Sequence, residues 1–199
     1  MMKRLLVSAI FLMLLFTASA QQFGVYGNVM LSKKLASWYN PYFFRSSSFG
    51  IDYHWRNEHF LKQTLSLAYE KKGTDYNGPN SISHIRTDYV TLKYLFRIGN
   101  SNFDFQTGPY IGSPVAAISE NAGQKEDFYL ESLRRFDMGL SANVNQYLFA
   151  LDKISFHLRA EVNYGITNIS KGDDYITFRD FYNRNLTCGL GIVMRWNNK

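Results

Sequence analysis

The sequence predicts an all-β fold, an eight-stranded antiparallel up-and-down transmembrane β-barrel. Three observations predict it. The first is strict alternation, cleanest from Ile154 to Tyr164. There Ile154, Phe156, Leu158, Ala160, Val162 and Tyr164 interleave with Ser155, His157, Arg159, Glu161 and Asn163. Successive side chains of a strand point to opposite faces, so this stretch has one apolar and one polar face. The second is that eight such segments follow one another, with short and long connections in alternation. The third is an export signal at the N-terminus. Behind such a signal, strands with charges in mid-segment point to apolar faces against lipid and polar faces around a closed interior.

The signal spans residues 1–20. Lys3 and Arg4 supply the charged region, Leu5 to Thr17 the apolar run, and Ala18-Ser19-Ala20 a small-x-small cleavage pattern. The mature chain is expected to begin near Gln21, leaving 21–199 as one barrel domain in the outer membrane. The apolar run is short for a transmembrane anchor, and no other stretch could cross a bilayer as a helix. Cys188 is the only cysteine, so an internal disulfide is excluded. The formal charge of +6 falls to +4 without Lys3 and Arg4, and the basic residues are scattered, which argues against a nucleic-acid partner. Aromatic residues make up 17% of the chain, a surplus that suits rings at a membrane interface.

The first strand is expected over Phe23 to Leu31, with Phe23, Val25, Val29 and Leu31 on one side. Gly24 and Gly27 blur its phase and leave its facing open. A loop from Ser32 to Ser46 follows. Its aromatics Trp38, Tyr39, Tyr42, Phe43 and Phe44 form a candidate contact site for a partner, a glycan or the membrane surface, or an interface girdle. The second strand, about Ser48 to Arg56, alternates Phe49, Ile51, Tyr53 and Trp55 with Gly50, Asp52, His54 and Arg56. The third, Phe60 to Lys71, sets Leu61, Leu65, Leu67 and Tyr69 against Lys62, Thr64, Ser66 and Glu70. Gly73 to Arg86 is rich in turn formers and reads as a loop.

The fourth strand, Asp88 to Ile98, opposes Val90, Leu92, Tyr94 and Phe96 to Thr91, Lys93 and Arg97. The fifth begins at Phe103 after the turn Gly99-Asn100-Ser101-Asn102. Ser113 to Arg135 reads as the longest loop, with a short helix expected over Lys125 to Arg134. The sixth strand, Phe136 to Val144, turns Met138, Leu140 and Ala142 outward and Asp137, Gly139, Ser141 and Asn143 inward. A turn near Ala150-Leu151-Asp152 leads to the seventh strand, the Ile154 to Tyr164 segment. A loop over Thr167 to Tyr182 precedes the eighth, Asn185 to Trp196. Short turns on one side and long loops on the other are the asymmetry of outer-membrane barrels.

Eight strands enclose a space about wide enough for side chains. The interior charge plug is expected to comprise Asp52, Arg56, Glu70, Arg97, Asp137, Arg159, Glu161 and Arg195, with Lys62, Lys93 and Asp104 on the same faces. Both signs occur, so they can neutralise one another, which a buried charge requires. A soluble lipocalin-like carrier would use the same alternation with the faces reversed. A lipid-modifying enzyme would need a nucleophile beside a histidine such as His157, and no His–Ser pairing stands out at a rim. His54, His59, His84 and His157 lie in separate elements without ligand spacing, and Asp173-Asp174 lacks a calcium-loop series. No catalytic residue, metal or cofactor is therefore expected. The expected partners are outer-membrane lipid and, through the outside loops, envelope or secretion proteins, with the barrel itself a monomer.

Several segments carry a resemblance to a known family. They are Asp88-Tyr89-Val90-Thr91-Leu92-Lys93-Tyr94, Gly108-Pro109-Tyr110-Ile111-Gly112, Phe136-Asp137-Met138-Gly139-Leu140, Asn163-Tyr164-Gly165-Ile166-Thr167-Asn168-Ile169 and the closing Gly191-Ile192-Val193-Met194-Arg195-Trp196. Together they resemble the PorT-like outer-membrane β-barrel proteins of the Bacteroidetes. The resemblance implies recognition of the last strand by the barrel-insertion machinery. It also implies a non-enzymatic role, structural, adhesive or accessory to protein secretion. It supplies no catalytic residues.

Overall fold

The computed structural model describes residues 21–35, 43–55, 62–77, 82–100, 102–121, 124–127, 133–169 and 182–195. They form strands β1 (Gln21–Leu35), β2 (Phe44–Trp55), β3 (Lys62–Asn77), β4 (Ile82–Gly99), β5 (Phe103–Asn121), β6 (Gln124–Asp127), β7 (Asp137–Leu151), β8 (Ile154–Gly165) and β9 (Tyr182–Arg195). Every pairing is antiparallel, the sheet order is β4-β3-β2-β1-β9-β8-β7-β5-β6, and β4 also pairs with β5. That last pairing closes eight strands into a barrel, with β6 a short ninth strand laid on the end of β5. The registered partners of Gln21 run through Trp55, Gln63, Phe96, Thr107, Ala142, Val162 and Leu186. They return to β1 at Leu31, ten residues further on. Such a stagger tilts the strands and sets the bore, which at eight strands is filled by side chains.

The alternation resolves inside out. In β8, Leu158 and Val162 are 43% and 50% exposed, while Arg159 and Glu161 between them are 0% and 1% exposed. Phe49, Ile51, Leu67, Val90, Leu92, Ile111, Met138 and Leu140 continue the exposed apolar belt. This overturns the lipocalin-like alternative, which needs the apolar faces inside. It also settles the facing of β1, which turns Phe23, Val25, Val29 and Leu31 outward and buries Tyr26, Asn28 and Met30.

The strands are longer than alternation alone indicates. The expected loop over Gly73 to Arg86 is largely strand, because β3 and β4 stay paired from Lys62 and Arg97 out to Asn77 and Ile82. The expected loop from Ser113 is likewise strand as far as Asn121, and Gln124–Asp127 is strand where a helix was expected. On β3 and β4 the outward positions beyond the belt turn polar, at Lys71, Asp75, Arg86 and Asp88, and on β5 the bulge at Val115 breaks the phase, so the alternation is lost while the backbone ladder continues.

Proline explains two irregularities. Pro109 has no N–H to donate, and the β4–β5 ladder lapses opposite it, at Tyr94 and Leu95. Pro114 adjoins the bulge at Asp88/Tyr89, where Val115 is the extra residue that re-aims the strand ends. The described short turns are tight. Asn100 accepts hydrogen bonds through its side chain from the N–H groups of Asn102 and Phe103, at 2.9 and 3.0 Å. Between β7 and β8, Asp152 adopts φ +49°, a left-handed conformation that Asp tolerates.

Candidate functional site

The inward faces bring distant charges into one network across the bore. Arg159 on β8 donates to Asp52 on β2 at 2.6 Å and to Glu161 at 2.8 Å. Glu161 also accepts from Lys93 on β4 and from Asn163 at 2.7 Å. Lys93 lies 2.6 Å from Glu70 on β3. Glu70 accepts from Thr91 at 3.0 Å and lies 3.1 Å from Lys72, which reaches Asp137 on β7 at 3.1 Å. The signs alternate along the whole chain of contacts from Asp52 to Asp137, so each charge has an opposite neighbour. Each is also shielded from water, all being within 3% of full burial.

Aromatic rings brace the cations. Arg159 stacks over Tyr26 with 4.0 Å to the ring centroid, and Lys72 sits between Tyr89 and Tyr110 at 4.7 and 4.8 Å. Desolvated contacts of this kind are worth about 2 kcal/mol. Glycines make room for the rings. Gly50 is the registered neighbour of Tyr26, and a Cβ there would come within 2.5 Å of the Tyr26 ring. Gly139 is the registered neighbour of Tyr110, where a Cβ would lie 2.7 Å from the ring and 2.1 Å from the Tyr164 carbonyl.

A second cluster fills the short-turn end. Asp104 on β5 accepts from Arg97 at 2.9 Å, Tyr147 at 2.8 Å, Asn145 at 2.9 Å and Gln106 at 3.0 Å. His54 bonds Thr64 at 2.8 Å through Nδ1. The ring of His157 faces the Tyr147 ring at 5.6 Å and lies over Gly191. At the opposite end, Asp137 accepts from Tyr110 at 3.3 Å, and Thr167 caps the start of β7 by accepting from the Met138 N–H at 2.8 Å.

Of the eight expected plug residues, Asp52, Glu70, Asp137, Arg159 and Glu161 share the long network, and Arg97 belongs to the second cluster. Arg56 lies outside the described residues, as does the side chain of Arg195. Lys72, a link in the network, lies one residue past the end that alternation predicts for the third strand. Its signal was the inward series Glu70, Lys72. The bracing tyrosines escape the sequence reading, since a tyrosine at an inward position becomes informative only when the register sets a glycine beside it. In the aromatic contact site, Trp38, Tyr39 and Tyr42 lie outside the described residues. Phe43 is exposed beneath the Lys33 ammonium, 5.6 Å from its ring centroid. Phe44, expected in a loop, opens β2 and turns its ring toward Gly73 instead.

A closed antiparallel barrel with an apolar outside and an ionic inside defines the outer-membrane class of β-barrel. Among solved structures, the chain is similar to Neisserial surface protein A, NspA, with 12% identity and a TM-score of 0.50 over 87% of this chain and 97% of that one. It is also similar to Ail, the attachment invasion locus protein of Yersinia pestis, with 15% identity and a TM-score of 0.45 over 88% and 100%. A third likeness is to the translocator domain of the autotransporter NalP from Neisseria meningitidis, at 8% identity and a TM-score of 0.34 over 98% and 95%. At this identity the likeness to NspA is one of fold. No protein-family model and no curated protein matches the chain.

Proposed function

We propose that this chain is a PorT-like protein of the outer membrane, exported by cleavage after Ala20. It acts without catalysis through its long-connection end, as a surface element or an accessory to a secretion complex. The observation that carries the reading is the ionic network spanning the bore. Arg159, Lys93 and Lys72 with their carboxylates cross the bore among the described residues, as in a filled eight-stranded barrel, so the working surfaces are the outer face and the ends.

Strand length supports the choice of end. Crossing a bilayer takes about 9–11 tilted residues. Strands β3, β4 and β5 have 16, 18 and 19 residues. Their surplus lies at the long-connection end, where β6 widens the same sheet. A sheet standing clear of the bilayer offers paired backbone and polar side chains to other envelope proteins.

Heat-modifiable gel mobility of the membrane fraction tests the location. The folded barrel should shift on boiling, whereas recovery with the periplasmic fraction overturns it. Affinity purification from membranes should bring down other envelope proteins, and deletion should lower the amount of secreted protein. Isolation as a lone barrel, with secretion unchanged on deletion, overturns the accessory role.

A further inference from the structure

We propose that the outer face of β1–β4 is a binding site for one phosphorylated, acylated lipid of the outer leaflet. The inference rests on the outer-membrane reading above and adds a site to it. An apolar groove of about 440 Å³ runs over this face, lined by Val25, Phe49, Ile51, Leu67, Tyr69 and Val90. That volume lies within the range of built ligand sites, roughly 300–1,000 Å³. Its floor is backbone, because Gly50 and Ala68 are bore-facing positions lying between the outward Phe49, Ile51, Leu67 and Tyr69. At Gly27, registered beside Phe49, an added Cβ would meet nothing within 4 Å, so the surface stays notched there.

The charge pattern identifies the occupant. Toward the long-connection end, the outward rows of all four neighbouring strands give way to a basic side chain. They are Lys33 on β1, Arg45 on β2, Lys71 on β3 and Arg86 on β4. The outward rows of β5 and β8 reach Val115 and Tyr164 without one. Two acids share these rows, Asp75 on β3 and Asp88 on β4, and Asp88, registered beside Lys71, holds Arg86 at 3.0 Å while accepting from the Tyr69 hydroxyl. Arg86 is thereby fixed above the groove, with Arg45 exposed and Lys71 half-buried beside it. Four cations against two carboxylates leave this rim positive, and Asp88 is already engaged by Arg86, so an anion that reaches Arg45 and Lys71 is favoured. A phosphate on an acylated lipid answers both halves of the site. Its oxygens meet the guanidinium and ammonium groups at headgroup level, and a chain descends into the groove.

Native mass spectrometry of the refolded barrel in detergent micelles tests this, with monophosphoryl lipid A and the same glycolipid lacking its phosphate as probes. One phosphorylated lipid should remain bound per barrel, favoured at least about tenfold over the dephosphorylated form. The preference should fall as salt is raised on the unmodified protein, which needs no variant. The double variant Arg45→Glu/Lys71→Glu should lose the preference, Leu67→Trp should weaken retention of both probes, and Arg135→Glu should change neither. Equal retention of the two probes, or an unchanged preference in the double variant, overturns the site. Heat-modifiable mobility run on the same samples separates the causes. A wild-type chain that never folds in micelles counts against the outer-membrane reading, and a folded barrel without selectivity counts against the lipid site alone.

Discussion

Arg159 shows how a fully buried cation is tolerated at the residue scale. It has two carboxylates and a tyrosine ring around it, and none of those partners is wet. Removing it takes the cation from Asp52 and leaves Glu161 with Lys93 alone in a dry interior, where breaking a buried pair costs about 3–5 kcal/mol. Arg159→Met should lower stability by that order in urea unfolding of the refolded barrel. Arg97→Met should cost less, about 1–3 kcal/mol, because Asp104 keeps three neutral donors and Arg97 is 11% exposed at the mouth. Equal losses would mean that the network is not the stabilising core described above. Glycines divide in the same way. A methyl at Gly139 runs into the Tyr164 carbonyl and the Tyr110 ring, and one at Gly27 meets open space. Thermal melting should show Gly139→Ala less stable by about 1–3 kcal/mol and Gly27→Ala close to wild type.

At the scale of the element, β8 is the strand whose two faces differ most. Its outward row sits in the apolar belt, so a charge there must be taken into hydrocarbon. Val162→Arg should cost about 2–4 kcal/mol in refolding into lipid vesicles, the range for a cation at the bilayer midplane. A loss below about 1 kcal/mol would place Val162 at an interface or in water. Strand β5 behaves differently, since its two prolines interrupt pairing at Tyr94–Leu95 and at the Val115 bulge. The Gly108-Pro109-Tyr110-Ile111-Gly112 segment therefore has a physical content. Pro109 opens the ladder, Tyr110 reaches inward against Gly139, and a Cβ added at Gly112 would come within 3.1 Å of the Thr91 hydroxyl.

For the whole molecule, the ten-residue stagger and eight strands leave a bore that the inward side chains fill. Reconstitution into planar bilayers should give no steady open-channel current at moderate voltage. A stable ohmic conductance would contradict a network that joins β2, β3, β4, β7 and β8 across the lumen. Closure also removes every free edge within the apolar belt, which is what permits a sheet to sit in hydrocarbon. Among the described residues, unpaired edges occur at β6 and at the long-connection ends of β2 and β3, whose pairing with each other stops at Ser48 and Glu70.

The sequence by itself determined the fold class, the number of barrel strands, their order along the chain and the facing of the clearly alternating ones. Period two writes which side of a strand is apolar into consecutive residues, and lipid demands that side outward. Three things were decided only by the tertiary structure. Strand ends were hidden where the outward rows turned polar, as at Lys71 and Asp88. Partners across the bore were hidden because alternation gives a residue its face but not its height. Arg159 and Asp52, 107 residues apart, meet only once register and stagger fix that height. The basic rim over an apolar groove was hidden for the same reason, its four cations being scattered along the chain until four strands lie side by side.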